Sequence, residues 1–249
     1  MIVRVTSDTH GYLPTIDEPF DLLLISGDVC PAHDHYFAFQ KEWIENTFVD
    51  WVNNALPFRD EYSTVVMIPG NHDFVFERWH QPDFDHLKRL TNGRLIVLKN
   101  TQYDFEYLDE EEGIKTVKIF GTPYCKVFGN WAFMVENETL KKKYAEIPEG
   151  LDILLTHDAP HINKLGLIQE GWSAGVDAGN TLLDEAIREK KPRYVFCGHI
   201  HSGNHNFELV NVNQDADEDE DEVLVKMANV SYINERYHPA YDIIKFEYK

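Results

Sequence analysis

The sequence predicts an α/β protein in which two mixed β-sheets pack together, flanked by helices in an α/β/β/α sandwich. Three observations carry this. Short apolar runs of strand length alternate with helix-like segments through the early chain. The last part has strand-like runs at 206–213, 223–230 and 243–248 with no helical stretch between them. Most of the early apolar runs end directly in a short polar motif. Early βα alternation with a β-rich end fits packed sheets with helices outside.

The runs 2–6, 22–26, 65–68 and 95–98 are apolar on both faces, as buried central strands are. Between the second and third, Phe37, Ile44, Phe48, Trp51, Val52 and Ala55 fall at near-helical spacing and predict a helix over 37–56. A short helix over 85–90 stops at Asn92-Gly93. Runs 102–108 and 114–120 flank an acidic turn and predict a hairpin. A helix over 138–145 ends before Pro148, and 153–156 is a strand. Leu182, Leu183, Ala186 and Ile187 share one face of a helix over 182–189, and 193–197 is the next strand. Segment 215–222 is acidic at every position but Ala216 and reads as a solvated surface loop. No repeat and no Pro/Gly/Ser-rich linker divides the chain, so 1–249 reads as a single domain.

Composition excludes some functions. At 249 residues and 43% apolar content the chain can bury a large core. No stretch approaches the roughly 18 apolar residues of a membrane helix, and the opening residues enter a strand directly, so no secretion signal is expected. Cys30, Cys125 and Cys197 are odd in number and far apart, which points to buried thiols in a reducing cytoplasm. A formal net charge of −20 disfavours stable nucleic-acid binding and anionic membranes. It does not disfavour a small phosphate substrate, because surface charge is screened over about 8 Å. Two divalent cations held by two carboxylates would keep a local charge of about +2.

Such a cation site is what the polar motifs suggest. They are Asp8-Thr9-His10, Gly27-Asp28, Gly70-Asn71-His72-Asp73, Thr156-His157-Asp158 and Gly198-His199-Ile200-His201. Together they offer carboxylates, an amide and several imidazoles. A carboxylate can bridge two metals, and imidazoles bind Mn, Fe, Zn or Ni without neutralising the Lewis acid. Ligands on loops after buried parallel strands can converge because the sheet fixes their origins. Alternation aims Asp8 with His10, and His199 with His201, the same way. Two metals about 3.5–4 Å apart suit hydroxide attack on a phosphate ester. In the third motif, Asn71 offers a neutral oxygen, His72 can hydrogen-bond a substrate, and Asp73 can orient His72 from behind.

The same series resembles the motifs of calcineurin-like metallophosphoesterases. Gly121-Thr122-Pro123, Ile147-Pro148-Glu149-Gly150 and the GHIHSG run resemble the small metallophosphoesterase-domain-containing phosphodiesterases within that superfamily. The resemblance implies one metal on Asp8, His10, Asp28 and His201, and the other on Asp28, Asn71, His157 and His199, with Asp28 bridging. It implies His72 as transition-state stabiliser or general acid, supported by Asp73. It implies two divalent cations, manganese in first place and iron, zinc, nickel or magnesium behind it, and a small phosphodiester such as a cyclic nucleotide as substrate. A phosphomonoesterase, a protein phosphatase and a non-catalytic scaffold are the rivals. Gly27-Asp28-Val29-Cys30-Pro31 lacks the arginine-bearing extension of Ser/Thr protein phosphatases. Asp158 departs from the family pattern and, beside His157, is expected to influence metal choice or substrate access. His33, His35, His80, His86 and His238 read as surface or packing residues. His161 and His205 are candidates for a substrate shell, and Trp79, Trp131 and Trp172 read first as core or rim. Oligomeric state is not legible.

Overall fold

The computed structural model describes residues 1–109, 111–213 and 222–249; the acidic 215–222 stretch, save Glu222, lies outside the described residues. In chain order the elements are β1 (Ile2–Thr6), β2 (Leu22–Ile25), α1 (Phe37–Glu42), a π-helical turn (Trp43–Phe48), α2 (Val49–Asn54) and β3 (Thr64–Met67). Then come α3 (Phe74–Arg78), α4 (Gln81–Leu90), β4 (Leu95–Val97), β5 (Thr101–Asp109), β6 (Gly113–Thr122), β7 (Cys125–Lys126) and β8 (Met134–Val135). The rest comprises α5 (Asn137–Ala145), β9 (Ile153–Thr156), a 3-10 turn (Ile162–Lys164), α6 (Thr181–Lys190), β10 (Tyr194–Cys197), β11 (Glu208–Asn211), β12 (Leu224–Asn229) and β13 (Ile244–Glu247).

One sheet runs β13-β1-β2-β3-β4 and the other β11-β12-β10-β9-β6-β5. β1 to β4 pair in parallel, with β13 antiparallel at the edge. In the second sheet β6, β9, β10 and β12 are parallel, and β5 and β11 close the edges antiparallel. The period-two alternation of each strand decides what each face meets. Val3, Val5, Leu22, Leu24, Val66 and Ile68 pack against Ile119, Ile153, Leu155 and Phe196 of the other sheet. Their neighbours Leu23, Ile25, Val65 and Met67 meet Ile44, Phe48, Val52, Val75 and Leu87 of the outer helices. On the opposite side Leu154, Val195 and Cys197 meet Leu140, Leu183 and Ile187. This is the helix–sheet–sheet–helix layering that the sequence predicts.

The differences are local. The helix expected over 37–56 forms, but its middle widens into the π-helical turn. Helix α4 starts before the expected Asp85, because Pro82 suits a first turn and His80 with Asp83 closes a capping box. Helix α3 follows the third motif directly and was not expected. Cys30, Cys125 and Cys197 are buried and unpaired, as expected. Among the described residues no helix is long and apolar enough to cross a membrane.

Candidate metal centre

The loops after β1, β2, β3, β9 and β10 meet where the two sheets join. Parallel pairing continues past the strands: Asp8 N–H donates to Gly27 O, His10 N–H to Asp28 O and Gly11 N–H to Val29 O, each at 2.9 Å. Across the sheets, Ser26 Oγ donates to Phe196 O at 3.2 Å. Gly70 and Gly198 allow the loops to close. A Cβ on Gly70 would stand 2.2 Å from Asp28 Oδ1, and one on Gly198 would stand 2.2 Å from Asp8 Oδ2. The turns also force φ to +49° at Asp8, +44° at His10, +52° at Asp28 and +67° at His199. Left-handed backbone costs a non-glycine residue roughly 1–2 kcal/mol, so this site stores strain in its own ligand loops.

Two groups of potential ligand atoms result, each with all atoms within 4.8 Å of one another: Asp8, His10 and His201, and Asp8, Asp28 and His157. All five side chains are buried. Asp28 Oδ2 lies 3.6 Å from His10 Nε2 and 3.4 Å from His157 Nε2, so it stands between the groups. His201 Nε2 is 3.5 Å from Asp8 Oδ1 and 3.3 Å from His10 Nε2. Asn71 Oδ1 is 2.9 Å from His157 Nε2. The outer nitrogens are anchored: His157 Nδ1 meets Ser26 O at 2.9 Å, and His201 Nδ1 meets Asn234 O at 3.2 Å. A carbonyl there holds the proton on Nδ1, so that Nε2, once it is free of a proton, can turn its lone pair inward. Inward lone pairs beside two carboxylates are the donor set of a divalent cation, so these residues fit such ions.

The electrostatics agree. Burial pushes the Asp8 and Asp28 carboxyls up. For Asp8 the hydrogen bond to His201 and the charges of His157 and His201 outweigh burial; for Asp28 the charges of His157 and His72 do. Both end below the usual carboxylate range. Burial alone would lower His157, but Asp28 above all raises it to about 10. Burial lowers His10 to about 3 against the pull of Asp28 and Asp8. Burial and then the charge of His157 lower His199 to about 3.

His199 joins neither group. Its backbone N–H donates to both oxygens of Asp8, at 3.1 and 3.0 Å, while its ring stands edge-on to His157 and meets Phe128. His72 borders the cluster, its ring centroid 4.8 Å from that of His10 and 4.3 Å from that of Trp131. Tyr237 covers the other side, 4.9 Å from His10 and 5.1 Å from His201.

Three expected roles are corrected. Asp73 does not orient the His72 ring. Its carboxylate accepts backbone N–H groups of Cys30 and Gly70 at 2.8 Å and of Val29 at 3.3 Å, and so ties the second motif to the third. Buried beside Asp28, its carboxyl rises to about 6, burial being the larger cause. The partner of His72 is His35, Nε2 to Nδ1 at 3.1 Å; His35 is therefore no bystander. Asp158, expected to influence metal choice or substrate access, turns into the helix-facing core, where it accepts from Lys126 N–H at 3.1 Å and Asn180 Nδ2 at 2.7 Å.

Other supports escaped the sequence reading. Gln40 of α1 donates to His72 O at 2.7 Å and accepts from Val75 N–H at 3.0 Å. Asn229, ending β12, donates to Gly198 O and Ile200 O and accepts the Ser231 backbone N–H, while the Ser231 hydroxyl donates to Asp8 Oδ2 at 2.9 Å. Asn229-Val-Ser231 at the end of an apolar run is the signal that was there to read. His205 approaches His201 O at 2.9 Å and supports that loop. His161 pairs with Asp177 at 3.2 Å. Trp79 packs in the core and Trp172 is fully exposed.

This chain is similar to known proteins. UPF0046 protein T07D4.2 of Caenorhabditis elegans is 28% identical over 221 residues, covering 78% of this chain and 50% of its own. Metallophosphoesterase domain-containing protein 1 of Homo sapiens is 27% identical over 221 residues, covering 79% and 59%. The chain thus spans only about half the length of these curated relatives. One solved structure superposes with a TM-score of 0.54 at 9% identity, over 92% of this chain and 89% of its own, which shows a shared fold. The sequence model of the calcineurin-like phosphoesterases matches residues 1–203, and all five motifs lie within that span. The chain belongs to the calcineurin-like phosphoesterase family.

Proposed function

We propose that this chain hydrolyses small phosphodiesters with the help of two divalent cations. The observation that carries the reading is the pair of ligand groups sharing Asp8, with Asp28 between them and His72 alongside. In this reading one cation is held by Asp8, His10, Asp28 and His201. The other is held by Asp28, Asn71, His157 and His199. When bound, such a pair supplies Lewis-acid charge neutralisation and a water of lowered pKa.

The chain's own residues do the rest. His72, beside the cluster, donates a hydrogen bond to a phosphate oxygen or to the departing oxygen. Burial of His72 lowers its pKa below the ordinary histidine value, against the charge of Asp28. Trp131 and Tyr237 flank it and limit access of bulk water. Glu235 apart, the charges acting most on Asp8, Asp28, His72 and His201 belong to other Asp and His side chains of the site and its neighbour His35, not to lysine or arginine. A site with no guanidinium clamp among the described residues suits a monoanionic diester better than a dianionic monoester. The aromatic side chains beside it give apolar surface for the second ester arm. Three free buried cysteines support a reducing compartment such as the cytoplasm.

Manganese-loaded protein should hydrolyse bis-p-nitrophenyl phosphate faster than p-nitrophenyl phosphate. A clear monoester preference would overturn the diester assignment. Absence of turnover on both, with metal bound, would favour the scaffold reading.

A further inference from the structure

We propose that His35 is a positioning residue for His72: its Nε2–H donates to His72 Nδ1 and holds His72 in the tautomer whose proton sits on Nε2. This deepens the phosphoesterase reading and rests on it for the kinetic half of its test.

The two rings meet with His35 Nε2 and His72 Nδ1 at 3.1 Å. One of these nitrogens must donate and the other accept. His72 is otherwise fixed through its backbone: its N–H donates to Asp28 Oδ1 at 2.7 Å, and its carbonyl accepts from Gln40 Nε2 at 2.7 Å. The Trp131 ring lies on the His72 face, and His35 stands edge-on to that same indole. Neither ring can turn away without losing an aromatic contact. Among the described residues no protein atom pairs with His72 Nε2. That nitrogen is also absent from the sealed, unpartnered polar atoms, among which His10 Nδ1 is found. His72 Nε2 is therefore the nitrogen open to an incoming group.

The identity of the partner decides what His72 can do. A carboxylate or carbonyl behind Nδ1 can only accept, so it draws the proton to Nδ1. Nε2 of a neutral ring is then an acceptor, as in His157 and His201 of this site. A histidine behind Nδ1 can donate. The proton of a neutral His72 then sits on Nε2, where it can be given to a phosphate or leaving oxygen. His157 and His201 thus differ from His72. Those backed by carbonyls present lone pairs to cations, and the one backed by His35 presents a proton to substrate. Asp73, the nearby carboxylate, is occupied by three backbone N–H groups and leaves this place to His35.

Two readouts test this. Long-range ¹H–¹⁵N correlation spectra of the zinc-loaded protein report the tautomer of His72 without any turnover. Wild type should show His72 protonated on Nε2, and His35→Phe should lose that preference. A His72 protonated on Nδ1 in wild type, or a spectrum unchanged in His35→Phe, would overturn the assignment. In kinetics with manganese, His35→Phe should lower kcat on bis-p-nitrophenyl phosphate about 10- to 100-fold with little change in KM. The loss should be larger for a diester with a poorer leaving group, because that oxygen needs the proton more. His35→Gln, whose amide N–H₂ can occupy the same place and donate, should restore much of the rate. Equal losses for both leaving groups, with no rescue by glutamine, would reduce His35 to packing. If wild type turns over no phosphate ester, the phosphoesterase reading fails, while the tautomer spectrum still decides the role of His35.

Discussion

The two sheets bring different things to their junction. The first contributes Asp8, Asp28 and Asn71, all oxygen donors, together with His10. The second contributes His157, His199 and His201, all imidazoles. The oxygen side is built from strained turns, with left-handed backbone at Asp8, His10 and Asp28. On the imidazole side only His199 is left-handed among the ligand candidates, and His157 and His201 are aimed by carbonyls. The carbonyl aiming His157 belongs to Ser26 of the first sheet. Both ligand groups draw from both sheets, since Asp8 pairs with His201 in one and with His157 in the other. A bound cation would therefore tie the sheets together, and neither wall should hold one by itself.

The severest break is Asp28→Asn. It removes the anion that stands between His10 and His157. We expect metal content to fall at both positions by elemental analysis and phosphodiester turnover to drop by at least about 10³-fold, beyond what loss of a supporting partner costs. Retention of two metals would show that Asp8 alone holds the walls together. Next comes His72→Ala, which should keep both metals and lose about 10²–10⁴-fold in kcat, the usual worth of acid–base assistance. Metal loss in that variant would make His72 a ligand.

Ser231→Ala tests support rather than ligation. The hydroxyl holds Asp8 Oδ2 from the second sheet, and removing such a partner typically costs about 10–100-fold in metal affinity. Titration calorimetry should show that loss of metal affinity. The wild type sharpens the contrast through protons. His157 is raised to about 10, so at pH 8 it carries a proton that metal binding must displace. Calorimetry in buffers of different ionisation heat should register release of the His157 proton, together with any that His201, whose pKa is also raised, still carries. Apparent affinity should rise with pH up to about 10 and then level off. Release of no proton at pH 8 would mean that His157 faces the site already neutral.

The walls were unequally legible in the sequence. Strands β1, β2, β3, β9 and β10 declare themselves because burial on both faces makes them largely apolar, Arg4 being the one charged residue in them, and the ligands stand closely after them. Gly70 and Gly198 were legible as members of motifs, but not as residues whose missing Cβ makes room for a carboxylate. The supports were hidden. Gln40 sits on a helix face, His35 in the loop before it, and Ser231 lies 223 residues from the carboxylate it holds. None belongs to a motif, because their meaning comes from closure of the two sheets rather than from local spacing. Asp73 misled for the same reason. Adjacency to His72 suggested a partnership, whereas the turn points its carboxylate at the neighbouring loop.

The smallest expected effect concerns Asp158, the carboxylate on the imidazole side that does not face the cluster. Its Oδ2 takes the Lys126 N–H and the Asn180 amide, while Oδ1 is buried without a partner. Burial raises its pKa above the ordinary carboxylate value, more than those hydrogen bonds lower it. An acid whose folded pKa lies above its unfolded one binds protons more tightly in the fold. Stability from that group is therefore lost as pH rises from the unfolded value through the folded one. Asp158→Asn keeps an oxygen for both donors and removes the titration. We expect kcat within about twofold of wild type, since no metal contact is lost, and the fall of stability with rising pH to flatten. At pH 8 the melting temperature should rise by about 2–4 °C, what about 1 kcal/mol gives in a chain this size. A tenfold loss of kcat with metal depletion would place Asp158 in the site after all. Unchanged metal content with the predicted flattening would mark it as the polar anchor of α6 and β7, next in the chain to the ligand His157 yet facing the other way.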